Sequence, residues 1–222
     1  MPSPPRATVI DRPRVERAGM IVTFSRAYGA AAQAVSRIVA ERLGYRLVDE
    51  QLPVVAAWRL GTSADVVQTV SERPRGFGER VLANLGGGIP EAAQPPAADD
   101  FPADARRAIE EAVRDEAAGG NAVIVGRMAG AILGPRADVL RVFIHAPLAW
   151  RVARVAESLG VDAAAARAEI ARIDEARRTY AREGYRVTWG DPRNYDLFLD
   201  SSRFGVDGSA EIVIGAVRAA SR

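Results

Sequence analysis

Short apolar runs rich in β-branched residues alternate with stretches of helical spacing along the chain, and this alternation leaves few folds open. The five runs are GMIVTFS, YRLVD, NAVIVG, VLRVFIHA and YDLFLD. Two strands of one sheet that are joined through a helix lie parallel, with a right-handed crossover. The pattern therefore predicts an α/β fold of three layers, in which a five-stranded parallel sheet carries helices on both faces.

Capping residues mark the ends of the helices between these runs. The predicted helices cover residues 30–43, 104–118, 147–159, 163–183 and a final segment from Asp207 onward. Gly44 and Gly184 follow the first and fourth of them, because glycine is the usual residue after a helix end. Asp162 precedes the fourth helix and is a typical N-cap.

The chain is predicted to form one domain over residues 19–222, preceded by a flexible polar tail over residues 1–18. A helical insertion over residues 50–118 separates the second strand from the third. It contains a stretch rich in Pro, Gly and Ala near residues 73–103, which we predict to be a mobile loop. Loops of this length are uncommon in compact domains and often serve function.

The composition argues against several kinds of function. No apolar run reaches the roughly 18 residues of a membrane span, and the N-terminus lacks the apolar core of a signal peptide. We therefore expect a cytoplasmic protein without a membrane partner. The absence of Cys and the single His exclude disulfides and Cys/His metal clusters, and we assign no metal-ligating residue. A net charge of +2 without a long basic stripe argues against nucleic acid as a partner.

The ligand site of a parallel sheet lies at the carboxyl ends of its strands. These ends are residues 25–29, Asp49, residues 126–128 and residues 200–202. All 30 basic residues are arginine, so the charge of a phosphate must be met by guanidinium groups and backbone N–H groups. The planar fork of arginine suits phosphate oxygens.

The stretch MIVTFSRAYGAAAQAVSRIVAERLG has the strand, turn and helix of a phosphate-binding loop. The free N–H groups at a helix start attract anions, Gly29 permits a sharp turn or a close approach, and Ser25 and Arg26 offer a hydroxyl and a charge. Alanine and Gln33 stand where such loops carry Gly-Lys-Ser/Thr. An ordinary turn between a strand and a helix remains an equal alternative on spacing alone.

Two further groups of arginines admit two interpretations each. Arg127 follows Gly126 at the end of a buried strand, where it either enters the ligand crevice or pairs with a helix carboxylate. Asp174 lies three and four residues before Arg177 and Arg178 and should face both. Spacing alone favours a solvated, salt-bridged helix face; the functional alternative is a cationic lid.

Several motifs in a fixed order resemble the cytidylate kinase-like family. They are IVTFSRAYG, ERLGYRLVD, VIVGR, VLRVFIHAPLAWRVARV, IDEARRTY and WGDPRNYDLFLDSSRFGVDG, over nearly the whole chain from Met20 to Val217. The resemblance implies a P-loop nucleoside monophosphate kinase fold with a lid over residues 174–195 and an acceptor-side insertion. It also implies ATP-dependent phosphorylation of a nucleoside monophosphate such as CMP or dCMP, with ATP and Mg²⁺ as cofactors and nucleotides as partners.

The resemblance also implies roles for individual residues, of which Arg26, Arg127 and Arg177 would be catalytic. The implied nucleotide-binding residues are Ser25, Tyr28 and Gly29 in the phosphate loop, Asp49 after the second strand, Gly126 before the catalytic Arg127, and Asp174, Arg178 and Tyr180 on the lid helix. Arg26 would face the donor phosphates, Arg127 would hold the acceptor phosphate, and Arg177 would close from the lid with Arg178 in support.

The chain departs from the family pattern at the start of the first helix. It reads Gly-Ala-Ala-Ala-Gln from Gly29 to Gln33, where the family carries further glycines and an arginine. Met128 stands where cytidylate kinases carry Asp, and no Ser or Thr occupies the usual Mg²⁺ position. These departures support an alternative function, that of a catalytically inactive nucleotide-binding or interaction protein of the same fold.

Overall fold

A computed structural model describes residues 19–48 and 101–221 of the chain. Its strands are β1 (Ile21–Arg26), β2 (Arg46–Val48), β3 (Ala122–Val125), β4 (Val139–His145) and β5 (Leu197–Asp200). Its α-helices are α1 (Ala32–Leu43), α2 (Phe101–Ala118), α3 (Ala129–Leu133), α4 (Leu148–Leu159), α5 (Ala163–Tyr185) and α6 (Ser201–Ala220), and Pro192–Asn194 forms a single 3₁₀ turn. The predicted tail over residues 1–18, the predicted loop as far as residue 100 and Asp49 lie outside the described residues.

The five strands form one sheet in the order β2-β3-β1-β4-β5, and every neighbouring pair is parallel. This confirms the predicted fold class. All four residues of β3 and the first four of β1 are buried, and all of these but Thr23 are apolar, as expected for strands covered on both faces. The carboxyl ends of β1, β3 and β4 consequently lie side by side at one edge of the sheet.

Helices cover both faces of the sheet. On one face α1 and α6 pack Val35, Val39 and Ile214 against Val22 and Phe24 of β1. On the other face α2 and α3 bury their apolar side chains against the remaining side of β1, β2 and β3. A third, smaller cluster joins α4 to α5 and includes the ring of Tyr28, which follows β1. The helix pair α4–α5 therefore packs against the turn after β1.

Three helix boundaries differ from those predicted. The helix α5 runs through Gly184 to Tyr185, because Arg186 adopts the left-handed conformation that ends it. The final helix starts at Ser201 rather than Asp207, because the Asp200 carboxylate accepts the Ser202 N–H as an N-cap. Gly205, whose φ of 67° is non-helical, then kinks it. The helix α2 begins at Phe101, three residues before the predicted start.

The short helix α3 was not predicted. It begins after Met128, which is left-handed, and ends after one turn at Gly134. Among the described residues, no helix is long and apolar enough to cross a membrane.

Candidate functional site

The turn between β1 and α1 is anchored to the sheet at its first residue. The N–H of Ala27 donates to the carbonyl of Ile144 on β4 over 2.9 Å. The chain then reverses through two left-handed residues, Gly29 with φ of 81° and Ala31 with φ of 59°, and α1 begins at Ala32. Alanine in this conformation costs about 1–2 kcal/mol relative to its usual backbone. This turn, residues 27–33, is called the phosphate turn below.

Several backbone N–H groups of the phosphate turn remain available to a ligand. Those of Gly29, Ala31 and Ala32 donate no hydrogen bond to any group in the part of the chain that the structure describes. No side chain caps the start of α1, whose first turn carries no acidic residue. Unpaired N–H groups at a helix start, together with the helix dipole, favour an anion at this position.

The guanidinium of Arg26 lies against the end of β3. A Cβ added to Gly126 would come within 3.1 Å of Nη1 of Arg26, and the N–H of Gly126 donates to the carbonyl of Phe24 over 2.8 Å. Arg127 follows directly. The structure thus brings Arg26 and the Gly-Arg dipeptide to one place, at the carboxyl ends of two adjacent strands.

The backbone after β3 is strained. Gly126, Arg127 and Met128 have successive φ values of 79°, 51° and 53°. The two residues that are not glycine cost about 1–2 kcal/mol each in this conformation. Met128 is buried and leads directly into α3, so packing holds the strained segment in place. Strain of this kind is common at functional sites, and here it orients the backbone beside Arg26.

The helix α5 brings a second arginine to the phosphate turn. The Nη1 of Arg177 donates to the carbonyl of Arg26 over 2.9 Å, and its guanidinium carbon lies 5.8 Å from the centre of the Tyr28 ring. The same Nη1 lies 3.8 Å from Oδ1 of Asp174. Arg177 therefore contacts both the backbone and the ring of the turn, and its catalytic role stays a prediction.

Asp174 is almost completely buried and binds the turn directly. Its Oδ1 accepts the N–H of Tyr28 over 2.9 Å, and its Oδ2 accepts Nη1 of Arg151 over 2.7 Å. The same Nη1 donates to the carbonyl of Tyr28 over 3.0 Å, and Nε of Arg151 donates to the carbonyl of Ala146 over 3.1 Å. Asp174 thus serves the phosphate turn and a buried ion pair rather than a solvated helix face.

Two of the predicted lid residues lie apart from this network. Arg178 does not pair with Asp174 as its spacing suggested; its Nε donates to Glu175 over 2.9 Å, and its guanidinium lies 5.9 Å from the centre of the Trp189 ring. Both oxygens of Asp174 already accept hydrogen bonds, from Tyr28 and Arg151, and Arg178 pairs with the exposed Glu175 instead. Tyr180 contacts the ring of Tyr185, and the two hydroxyl oxygens are 3.2 Å apart.

The hydroxyl of Tyr185 is deeply buried, which raises its pKa well above the ordinary tyrosine value. Tyr180 and Glu110 raise it further, whereas Arg106 lowers it. Tyr185, with Tyr180 against its ring, therefore lies beside Arg106 and Glu110 of α2. Their nucleotide-binding role stays a prediction.

Ser25 lies beside a tyrosine that the sequence did not single out. The hydroxyl oxygen of Tyr195 is buried without a well-aligned hydrogen bond, and burial raises the pKa of Tyr195, with the nearby Ser25 hydroxyl partly offsetting this effect. The Tyr195 ring packs 4.9 Å from that of Phe143. Ser25 therefore faces the segment that connects α5 to β5.

Acidic groups for a metal are scarce near the turn. In the described ranges 19–48 and 101–221, no three His, Cys, Asp or Glu side chains cluster as metal ligands do. Both oxygens of Asp174 already accept hydrogen bonds, and the Asp200 carboxylate accepts from Ser202. Asp49, the predicted acid after the second strand, lies outside these ranges.

Arg151 contacts the phosphate turn, although the sequence analysis did not single it out. It lies 123 residues from Tyr28 along the chain, and its position four residues after Pro147 resembles that of any helical arginine. The strand order is the signal that could have found it. Because β4 lies next to β1, the helix that follows β4 starts beside the phosphate turn. That order becomes known only from the folded sheet.

Comparisons with known proteins identify the family of this chain. The chain matches the model of the cytidylate kinase-like family over residues 21–203. A cytidylate kinase of Halobacterium salinarum is 32% identical over 50% of this chain and 58% of its own length. One of Methanothrix thermoacetophila is 28% identical over 90% of this chain and 99% of its own length. The match to the Halobacterium salinarum protein, like that to a cytidylate kinase of Methanoculleus marisnigri, spans little more than half of the relative's length.

Two solved structures share the fold. An uncharacterized protein from Eubacterium ventriosum superposes with a TM-score of 0.63 and 20% identity, covering 90% of this chain and 98% of that one. A shikimate kinase from Bacteroides thetaiotaomicron superposes with a TM-score of 0.50 and 13% identity, over 90% of this chain and 98% of its own. At these identities the likeness concerns the fold alone.

Proposed function

This chain belongs to the cytidylate kinase-like family, and we propose that it is a phosphotransferase that moves the γ-phosphoryl group of ATP to a nucleoside monophosphate such as CMP or dCMP. The products are ADP and the nucleoside diphosphate. The curated relatives are named cytidylate kinases, which supports CMP as the first acceptor to test.

One observation carries the proposal: the contacts of Arg26. Its guanidinium lies against Gly126, directly before Arg127, while its backbone carbonyl accepts a hydrogen bond from Arg177. The Arg26 guanidinium, the backbone before Arg127 and the Arg177 guanidinium thus lie at the carboxyl ends of the strands, beside the turn amides, which supports the proposal. A parallel sheet binds its ligand at this edge.

The arrangement suits phosphoryl transfer, in which positioning and charge stabilisation supply most of the catalysis. Turn amides and Arg26 hold the phosphates of the donor. Arg127, fixed by the strained backbone after Gly126, holds the phosphate of the acceptor. Arg177 neutralises charge that develops between them, from a helix already in contact with the turn.

The phosphates of ATP fit the residues present, because the turn offers free N–H groups and a guanidinium in place of a lysine. Mg²⁺ in such sites keeps several waters and binds mainly to the phosphates of the nucleotide. It supplies charge neutralisation when bound. The described residues offer it no ready carboxylate, and we assign it no protein ligand.

The direct test is a turnover assay with purified protein, ATP, Mg²⁺ and each nucleoside monophosphate in turn. We expect CMP to give CDP above a heat-inactivated sample. Arg127→Gln should abolish the product, whereas Arg136→Gln, which alters an exposed ion pair before β4, should retain it. Failure of every monophosphate to yield a diphosphate contradicts the proposal.

A second function has one specific observation in its favour. Ala31 adopts the left-handed conformation at the start of α1, where its methyl group replaces a glycine hydrogen. A phosphate turn narrowed in this way is consistent with a nucleotide-binding protein that performs no chemistry. Calorimetric binding of ATP or CMP without any turnover identifies this alternative; turnover that disappears in Arg127→Gln excludes it.

A further inference from the structure

We propose that Arg151 and Asp174 form a positioning pair that holds the phosphate turn in the conformation that receives the phosphate chain of the donor. This inference rests on the function proposed above. Arg151 lies on α4 and Asp174 on α5, and the two side chains meet at the backbone of Tyr28. Neither is expected to touch the nucleotide.

The pair binds both backbone groups of a single residue. Asp174 accepts the N–H of Tyr28, Arg151 donates to the carbonyl of Tyr28, and the two side chains bind each other over 2.7 Å. A third contact, from Arg151 to the carbonyl of Ala146, ties the arrangement to the end of β4. The conformation of Tyr28 is therefore fixed from both sides, and with it the direction in which the chain enters Gly29.

Burial makes this geometry stringent. The side chains of Arg151 and Asp174 are only 13% and 7% exposed. A buried ion pair is a poor source of net stability, since desolvation opposes the attraction, but it demands exact partners. Gly29 also packs directly on α4, where an added Cβ would lie 3.2 Å from the carbonyl oxygen of Arg151. Helix α4 thus contacts two consecutive residues of the turn, Tyr28 and Gly29.

The chain has a particular need for such a support. The turn lacks the glycines that relax a phosphate loop, and Ala31 persists in a left-handed conformation that survives only when neighbouring structure imposes it. The pair uses the amide and carbonyl of Tyr28 and leaves the amides of Gly29, Ala31 and Ala32 for the anion. Support from outside the turn therefore replaces flexibility within it.

The contacts also separate positioning from direct binding. Arg151 already makes hydrogen bonds to two carbonyls and a carboxylate. To reach a phosphate it would have to abandon Tyr28 and leave Asp174 as a buried charge without its partner, which is costly.

The experiment compares Arg151→Lys with Arg154→Lys, a conservative change on the exposed side of the same helix. Lysine keeps the charge but cannot reproduce the fork of hydrogen bonds. Calorimetry with inorganic tripolyphosphate should show at least tenfold weaker binding for Arg151→Lys, while its affinity for CMP stays within twofold of the wild type. Arg154→Lys should match the wild type for both ligands. A general loss of structure would weaken both ligands equally and contradict the proposal.

A mutant cycle tests whether the two residues act as one unit. Asp174→Asn and the double variant Arg151→Lys/Asp174→Asn are titrated with tripolyphosphate in the same way. Because the contacts are shared, the double variant should bind within about twofold of the weaker single variant. Independent, multiplicative losses overturn the pairing.

A crystal structure of the wild type with tripolyphosphate decides the question without any variant. Arg151 and Asp174 should keep their contacts with Tyr28 while the anion lies on the amides of Gly29, Ala31 and Ala32. If the guanidinium of Arg151 moves onto the phosphate, the positioning role is wrong although the proposed function stands. If the wild type binds neither tripolyphosphate nor CMP, the proposed function fails, and this inference fails with it.

Discussion

Gly29 offers a sharp test of how tightly the phosphate turn packs against α4. The substitution Gly29→Ala places a Cβ 2.8 Å from Cγ2 of Val155 and 3.2 Å from the carbonyl oxygen of Arg151. Real Cβ atoms do not approach the first of these distances, and neither a valine methyl nor a backbone carbonyl can swing away easily. The turn and α4 must therefore separate.

Gly44→Ala provides the matched control, because Gly44 also has a positive φ, of 66°, but a Cβ there meets no atom of the described residues within 4 Å. Each substitution adds about 1–2 kcal/mol of backbone strain. Gly29→Ala adds a further 1–3 kcal/mol, roughly, for overpacking. At about 2–4 °C per kcal/mol for a domain of this size, the melting temperature of Gly29→Ala should fall clearly below that of Gly44→Ala.

The assay is thermal unfolding of both variants beside the wild type, followed by calorimetry with tripolyphosphate. Because Gly29→Ala also shifts the turn, it should weaken the binding of the phosphate chain, whereas Gly44→Ala at the far end of α1 should not. Equal melting temperatures for the two variants would refute the close packing of the turn on α4, and with it the idea that α4 supports the site.

Two further predictions concern contacts that hold the edge of the sheet. Arg141 lowers the pKa of Asp196 because its guanidinium donates two hydrogen bonds to the carboxylate. The ion pair therefore stabilises the fold above the ordinary aspartate pKa of 3.8, and this stabilisation is lost as the pH falls below it. Asp196→Asn should lower the melting temperature at pH 7 and flatten its decline below pH 4, and an unchanged acid profile contradicts this. The buried hydroxyl of Ser201 lies 2.8 Å from the carbonyl of Ala30 and 3.1 Å from that of His145. Ser201→Ala should therefore reduce the free energy of unfolding, measured in urea, by about 1–3 kcal/mol. A loss below 0.5 kcal/mol, roughly the level of a neutral surface change, argues against a hydrogen bond from this hydroxyl.

The sequence was sufficient for the sheet and its order of elements. Strands buried on both faces are rich in apolar residues, and glycine after a helix is a local signal, so β1, β3 and Gly44 were found where predicted. These features depend on residues that are close together along the chain, and local chemistry decides them.

Features that depend on tertiary contacts were missed or misplaced. Gly184 signalled a helix end, but the helix continues one residue further because Arg186 takes the left-handed position instead. The expectation that Asp174 faces both nearby arginines treated α5 as an isolated helix. In the folded chain the carboxylate of Asp174 instead accepts hydrogen bonds from the backbone N–H of Tyr28 and from the side chain of Arg151.

The candidate site was predictable in part for the same reason. Because the carboxyl ends of parallel strands share one edge of the sheet, residues 25–29 and 126–128 were expected at that edge, and the structure places Gly126 against Arg26. The conformation of Ala31 was not predictable, since propensity alone favours helix for an alanine run. Gly29 was expected to permit close approach, and its neighbour in the described structure is α4.

The central proposal is that Arg26 takes the place of the missing lysine at the phosphate turn. The decisive measurement is the affinity of Arg26→Gln for adenosine, AMP, ADP and ATP, beside the wild type and Arg42→Gln, which alters an exposed pair at the other end of α1. A hydrogen bond to a charged group contributes about 1.5–3 kcal/mol, so ATP should bind Arg26→Gln roughly ten- to a hundredfold more weakly, with a loss that shrinks as phosphates are removed and vanishes for adenosine. If Arg26→Gln binds ATP as tightly as the wild type does, Arg26 does not meet the donor phosphates and the account is wrong.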